Sequence, residues 1–170
     1  MPETASDVPR VEALGAHHDR ANFDSGVEPL DRYLRTQAGQ DAKRRLAAPF
    51  VLVLPDGGIA GYYTLSATSL KLPDLPETVT RKLPRYPLIP ATLLGRLAVD
   101  RRHQGQGYGR FLLADALFRA VRSEIASFAI LVDAKDENAR RFYERESFLP
   151  LPDQPLKLFR PLADVAKLFE

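Results

Sequence analysis

A single α/β domain, built on a mixed sheet with helices on both faces, is the architecture this chain predicts. Three observations carry that reading. Residues 49–65 form a strand–turn–strand hairpin, residues 93–133 form a strand–helix–strand unit, and Ser127-Phe128-Ala129-Ile130-Leu131-Val132-Asp133 is apolar on both faces, as a central buried strand requires.

The elements follow in order. Arg10 to Leu14 reads as a first strand. Asp24 and Ser25 offer N-cap chemistry ahead of Val27, Leu30, Asp31 and Leu34 in helical spacing, and that helix is expected to continue through Ala38 and Ala42 to Lys43, Arg44 and Arg45. Basic residues suit a helix C-terminus, where the carbonyl ends are negative. Pro49 to Leu54 is a short apolar run, Pro55-Asp56-Gly57-Gly58 is turn chemistry, and Ile59 to Leu65 is the return strand. Prolines 73, 76, 84, 87 and 90 exclude a regular helix or central strand from Lys71 to Pro90, so this stretch is expected to be a long loop with one short helix around Glu77 to Lys82. Leu93 to Asp100 is the next strand and leads directly into a glycine-rich run. Leu113, Ala116, Leu117, Ala120 and Val121 mark one face of the helix that follows. After the buried strand, Glu137 to Glu146 is helical, Leu156 to Phe159 is strand-like, and a short helix follows Pro161.

Composition narrows the function classes. The chain has 170 residues, 45% hydrophobic and 27% charged, which is globular usage for one domain, residues 1–170. No apolar run reaches the roughly 18 residues of a membrane span, and Met1 to Arg10 is polar and proline-containing, unlike a signal peptide. The absence of cysteine excludes disulfides, a cysteine nucleophile and cysteine-ligated metal, and is compatible with the cytoplasm. Net charge is only +2, yet the basic residues clump at 43–45, at Arg81, Lys82 and Arg85, at Arg96, Arg101 and Arg102, and at Arg140 and Arg141. Such clumps are either solvated faces that also serve a phosphate-bearing ligand or, if they share a face, the footprint of a polyanion. His17, His18 and His103 do not make a metal spacing; the adjacent pair is expected to be exposed near the N-terminus, and no metal ligand set is assigned.

Gln104-Gly105-Gln106-Gly107-Tyr108-Gly109 lies between a strand and a helix. Alternate glycines allow positive φ and close backbone approach, and the unpaired N–H groups opening the next helix face the same point, which makes an anion cradle. A dinucleotide fingerprint would need G-x-G-x-x-G on an early strand, and a Walker loop needs Gly-Lys-Ser/Thr; neither is present. A tight strand-to-helix turn without a ligand is the remaining alternative.

Arg96-Leu97-Ala98-Val99-Asp100 followed by Gln104 to Gly109 resembles the strand and pyrophosphate loop of the GNAT acetyltransferases, Gln/Arg-x-x-Gly-x-Gly/Ala. Asp133 to Arg145 resembles that family's closing strand and helix. Phe23-Asp24-Ser25-Gly26, Leu30-Asp31-Arg32-Tyr33-Leu34 and Gly61-Tyr62-Tyr63-Thr64-Leu65-Ser66 are similar to one branch, the GNAT toxins of bacterial toxin–antitoxin modules, which acetylate the amino acid on charged tRNA. The resemblance spans about residue 22 to Leu162. It implies the GNAT fold, a central mixed, mostly antiparallel sheet flanked by helices, with acetyl-CoA as donor. It implies as partners charged tRNA, an antitoxin protein and a second copy of the chain. Leu97, Ala98, Val99, Gln104, Gly105, Gln106, Gly107, Tyr108 and Gly109 would hold acetyl-CoA, Leu97 and Val99 through backbone N–H groups. Tyr143 would be the general acid for the departing sulfur, and Arg85 and Arg96 are candidate substrate contacts. Two departures stand out: Asp136 replaces the asparagine that many members place seven residues before the tyrosine, and Ser147-Phe148 replaces the family's Gly-Phe.

A phenol of pKa near 10 is protonated at neutral pH and can donate. Tyr143 could alternatively be a core aromatic. The strand Gly95 to Val99 lacks the glutamate that lysine-acetylating members carry nearby. An α-amine starts at a pKa of about 7.7–8.0, against about 10.4 for lysine, so an aminoacyl ester already supplies neutral amine. The missing base therefore fits charged tRNA, with Glu12 or Glu77 as candidate bases from elsewhere. A small amine or protein N-terminus as substrate, and a module that binds CoA or an antitoxin without turnover, are the alternatives.

Overall fold

The computed structural model describes residues 8–170. The polar stretch read at Met1 to Arg10 lies, through Asp7, outside the described residues. The strands are β1 Arg10–Ala13, β2 Ala48–Val53, β3 Ile59–Lys71, β4 Leu88–Val99, β5 Ala129–Asp133, β6 Leu149–Leu151 and β7 Gln154–Pro161. The helices are α1 Glu28–Thr36, α2 Ala38–Arg44, α3 Glu77–Thr80, α4 Tyr108–Arg122, α5 Glu137–Arg145 and α6 Leu162–Ala166. Among the described residues the seven strands are ordered β1-β2-β3-β4-β5-β7-β6. The β1–β2, β2–β3, β5–β7 and β6–β7 pairings are antiparallel, while β4–β5 is parallel. No helix among the described residues is long and apolar enough to cross a membrane.

The chain divides into two compact units. The first comprises, among the described residues, the chain up to Ser66 and Arg96–Ala116. Its core gathers Phe23, Tyr33, Leu34, Ala38, Val51, Val53, Ile59, Tyr62 and Ala98. The Phe23 ring meets Tyr62 edge-on at 5.6 Å, and Tyr62 donates its hydroxyl to the Leu30 carbonyl at 2.6 Å, so α1 is fastened to β3 by both ring and hydroxyl. The second unit comprises Ala67–Gly95 and Leu117–Glu170. Its core is Leu70, Leu75, Ile89, Ala91, Ala129, Leu131, Leu151 and Phe159. Ile130 and Val132 are also fully buried, in keeping with a strand that is apolar on both faces.

Three local readings are corrected. The single helix expected from Val27 to Arg45 is two, because Gln37 (φ −119°, ψ −34°) interrupts it and Arg45 ends α2 in the left-handed region at φ 60°. Its N-cap is Val27 without a side-chain bond; Ser25 instead gives its N–H and hydroxyl to the buried Asp31 carboxylate at 2.9 and 2.6 Å. The proline-rich stretch is shorter than expected, because β4 begins at Leu88 and contains Pro90. That proline sits one residue before the parallel ladder opens at Ala91↔Ala129 and uses only its carbonyl, which accepts from the Phe128 N–H at 2.9 Å. The short helix is where it was expected, at Glu77–Thr80.

Candidate active site

The β4–β5 ladder ends at Leu94↔Val132, while β4 runs on to Val99. The Leu97–Val99 stretch therefore lies beyond the parallel pairing, next to the glycine loop. A turn of 3-10 helix at Arg101–His103 leads into that loop. Gly105 and Gly107 have φ of 78° and 84°, and a Cβ at either would meet no atom within 4 Å. Both positions thus require glycine for backbone reasons and face open space. The Gly107 carbonyl accepts from the Phe111 N–H at 3.0 Å, so α4 starts here, directly out of the glycine run. Gly105, Gln106 and Gly107 are exposed, and Tyr108 and Gly109 are half-buried. A fifteen-residue helix whose positive end carries exposed glycine backbone suits a pyrophosphate.

Gln104 does not present its side chain to a ligand. Its amide donates to the Val99 carbonyl at 2.9 Å and the Ser25 carbonyl at 3.1 Å. Arg101 and Arg102, read as loose positive charge, are ion-paired: Arg101 to Asp24 at 2.6 Å and Arg102 to Asp100 at 2.9 Å. Asp100 is fully buried. Burial by itself would raise its pKa, but the Arg102 guanidinium and the N–H groups of Arg102 and Asp24 outweigh it and hold the carboxyl at about 2. The sequence marks Asp24 as a helix-cap candidate and Asp100 as the end of a strand but not their contact, which joins segments 76 residues apart.

In the second unit, Tyr143 lies on α5. Its ring is 8% exposed and packs against Phe142 and Phe148, with centroids at 5.1 and 5.4 Å. Burial pushes its phenol well above the ordinary value, so the hydroxyl keeps its proton at neutral pH. Asp136 caps α5, accepting the Ala139 N–H at 2.8 Å. Ser147, standing where the family has glycine, adopts φ 70°.

Arg96 is half-buried with its guanidinium 3.5 Å from the Tyr33 ring centroid, a stacked cation–π arrangement. Arg85 is exposed on the loop before β4, beside exposed Tyr86. Neither acidic candidate has the character of a base. His18 first, then Arg10, hold the Glu12 carboxyl at about 2, and Glu77 pairs with Arg81 at 3.1 Å. His18 is buried rather than exposed, and the fold brings Glu12, His17 and His18 within 4.8 Å of one another. The Gly15 N–H donates to His18 Nδ1 at 2.9 Å, so the ring proton sits on Nε2, 2.6 Å from Glu12 Oε1. A metal on Nε2 would leave that ring with no proton at all, so the cluster reads as a hydrogen-bonded clasp. A cleft of about 410 Å³ beside α1 and α2 is lined by Arg20, Arg35 and Lys43, and none of its lining residues belongs to the glycine loop.

The chain is similar to known proteins over most of its length. A tRNA-acetylating toxin of Mycobacterium tuberculosis (strain ATCC 25618 / H37Rv) is 39% identical over 152 residues, 88% of this chain and 90% of the relative. The solved structure of AtaT complexed with acetyl-methionyl-tRNAfMet is 32% identical, with a TM-score of 0.87 over 95% of this chain and 99% of that one. A tyrosine-to-phenylalanine mutant of the AtaT toxin, bound to the C-terminus of the antitoxin AtaR and acetyl-CoA, superimposes with a TM-score of 0.81 at 29% identity, covering 96% of this chain and 99% of that one. Residues 16–148 match the model of the Acetyltransferase (GNAT) family, and the chain belongs to that family.

Proposed function

We propose that this chain is an acetyl-CoA-dependent N-acetyltransferase that caps the α-amine of aminoacyl-tRNA, and so acts as a toxin that blocks translation. The observation that carries the cofactor is the exposed Gly105–Gly107 backbone at the N-terminus of α4. The RNA substrate rests on the relatives, one named a tRNA-acetylating toxin and one solved with acetyl-methionyl-tRNA.

Acetyl-CoA supplies an acetyl group activated as a thioester. The N–H groups from Gly105 to Gly109 would hold its pyrophosphate, and the Leu97–Val99 backbone its pantetheine arm and acetyl carbonyl. Attack by the amine forms the C–N bond and breaks the C–S bond. Tyr143 gives its phenolic proton to the departing sulfur, and water takes the proton that the new amide nitrogen sheds. Burial serves this role because a phenol held protonated stays a donor through the physiological pH range. With Glu12 and Glu77 both paired, the neutral fraction of an α-amine, larger than that of a lysine, makes a dedicated base unnecessary.

Arg85, on an exposed loop that also carries Arg81 and Lys82, is the residue we assign to an RNA phosphate. Arg96 is assigned more narrowly, because its guanidinium is stacked on Tyr33 and only its edge is left for substrate. In the same reading residues 1–170 form one acetyltransferase domain, a homodimer in the cytoplasm, neutralised by an antitoxin protein.

The test is transfer of labelled acetyl from acetyl-CoA to a total charged-tRNA pool. Label is expected on the aminoacyl moiety, and Tyr143→Phe is expected to lower kcat by about 10²–10⁴-fold while leaving acetyl-CoA binding intact. Acetyl-CoA turnover with simple amines and no label on any tRNA would overturn the substrate.

A further inference from the structure

Two distant stretches of the first unit interlock around the exit of β4. The Asp24 N–H donates to Asp100 Oδ2 at 3.1 Å, and the Arg101 N–H returns to the Asp24 carbonyl at 2.8 Å. Arg101 Nη2 donates to Asp24 Oδ2 at 2.6 Å, and Gln104 Nε2 bridges the carbonyls of Val99 and Ser25. Arg102 closes on both oxygens of Asp100 through its backbone N–H, Nε and Nη2, at 2.9, 2.9 and 3.0 Å.

Each of these bonds involves the chain just before Gly105 or the segment behind it. A fully buried carboxylate is costly unless every bond it accepts is made, and here they come from the Asp24 N–H and from the backbone and guanidinium of Arg102. The need for such a hold follows from what comes next. Gly105 and Gly107 lie in open space with positive φ, and glycine has the widest backbone freedom of any residue. Left to themselves they would let the N–H groups point in many directions, and an anion would have to order them on binding. Through Ser25 and Asp31 the segment is anchored in turn to α1, so the hold has a rigid base.

We propose that Asp100 and Gln104 are positioning residues for the cofactor loop: by locking the β4 exit to Asp24 and Ser25 they pre-aim the glycine-loop N–H groups at one point, so their loss weakens acetyl-CoA binding and spares the chemical step. The inference rests on the acetyl-CoA reading of that loop. Gln104 is the sharper probe because it is exposed and its replacement need not disturb the core. Gln104→Glu keeps the size but turns a donor that faces two carbonyls into a third acceptor. Gln104→Arg, the other residue in the family pattern, restores a donor.

The experiment is calorimetric titration of the full chain with CoA, beside steady-state kinetics on charged tRNA and a thermal melt of each variant. Gln104→Glu is expected to raise Kd for CoA and KM for acetyl-CoA about tenfold or more, with kcat at saturation within about twofold of wild type. Gln104→Arg is expected to return both constants to within about threefold, and Asp100→Asn to behave as Gln104→Glu where it folds. Folded Gln104→Glu with an unchanged Kd, or a loss confined to kcat, would overturn the positioning role while leaving the acetyl-CoA reading in place. A wild-type chain that binds no CoA would overturn both.

Discussion

Ser147 occupies the left-handed region at φ 70°, immediately after α5, and donates its N–H to the Glu144 carbonyl at 3.1 Å. A Cβ there costs about 1 kcal/mol relative to glycine. Ser147→Gly is therefore expected to raise unfolding free energy by about 0.5–1 kcal/mol in urea titrations, with kcat unchanged, because the Phe148 N–H still closes on the Tyr143 carbonyl at 3.0 Å. Asp136, at the opposite end of the same helix, holds the Ala139 N–H. Asp136→Ala should cost about 1 kcal/mol, and Asp136→Asn, which keeps the capping oxygen, a few tenths; equal losses for the two would show that the cap contributes nothing. A departure from the family pattern at one site is thus a strained turn, and at the other a helix cap.

At the level of elements, β3 and β4 approach each other closely at one position. A Cβ on Gly61 would lie 2.7 Å from the Ala98 carbonyl oxygen and 2.7 Å from Leu112 Cδ1. Backbone cannot yield as a side-chain tip can, so Gly61→Ala is expected to cost about 1–3 kcal/mol. It should also raise KM for acetyl-CoA, since Ala98 lies in the strand assigned to the cofactor; a variant that melts like wild type would refute the close-packing account. This is also where reading the sequence alone succeeded and stopped. The hairpin at 49–65, the glycine loop, α4 and α5 were legible because each rests on local chemistry: turn residues, φ-permissive glycines and 3.6-residue periodicity. The break at Gln37 was not, because Gln37 carries no breaking signal and the apolar spacing continues across it. Nor was the start of β4, where two prolines argue against strand and only the position of Pro90 just outside the β5 ladder permits it. Of the candidate site, the cradle could be read from its glycines, but the roles of Asp24, Asp100 and Gln104 depend on partners far away in sequence. His18, taken as surface, is buried because Glu12 and the Gly15 N–H satisfy both ring nitrogens.

For the molecule as a whole, acid stability should bear the mark of Asp100. Its folded pKa of about 2 lies below the value of about 3.9 expected when unfolded, so the unfolded chain binds the extra proton first. The stabilisation is complete above about pH 4 and is lost as pH falls through 4 toward 2. Thermal melts across that window are expected to show a steeper decline for wild type than for Asp100→Asn, and parallel curves would remove the buried carboxylate as a contributor.

Each compact unit is assembled from two separated stretches, and residues 67–95 intervene before the first unit receives its second part. During synthesis, order of emergence is therefore not order of completion. The Tyr62 and Val51 side chains are made well before Ala98, the β4 residue that joins their core. A chain arrested in that interval holds β1, β2 and β3 with their core still incomplete, a target for chaperones and proteases. No amino-terminal fragment ending before Tyr108 has the helix that finishes the cradle. Chains cut short before that helix are thus expected to bind no CoA, and the proposed activity begins only once translation has passed it.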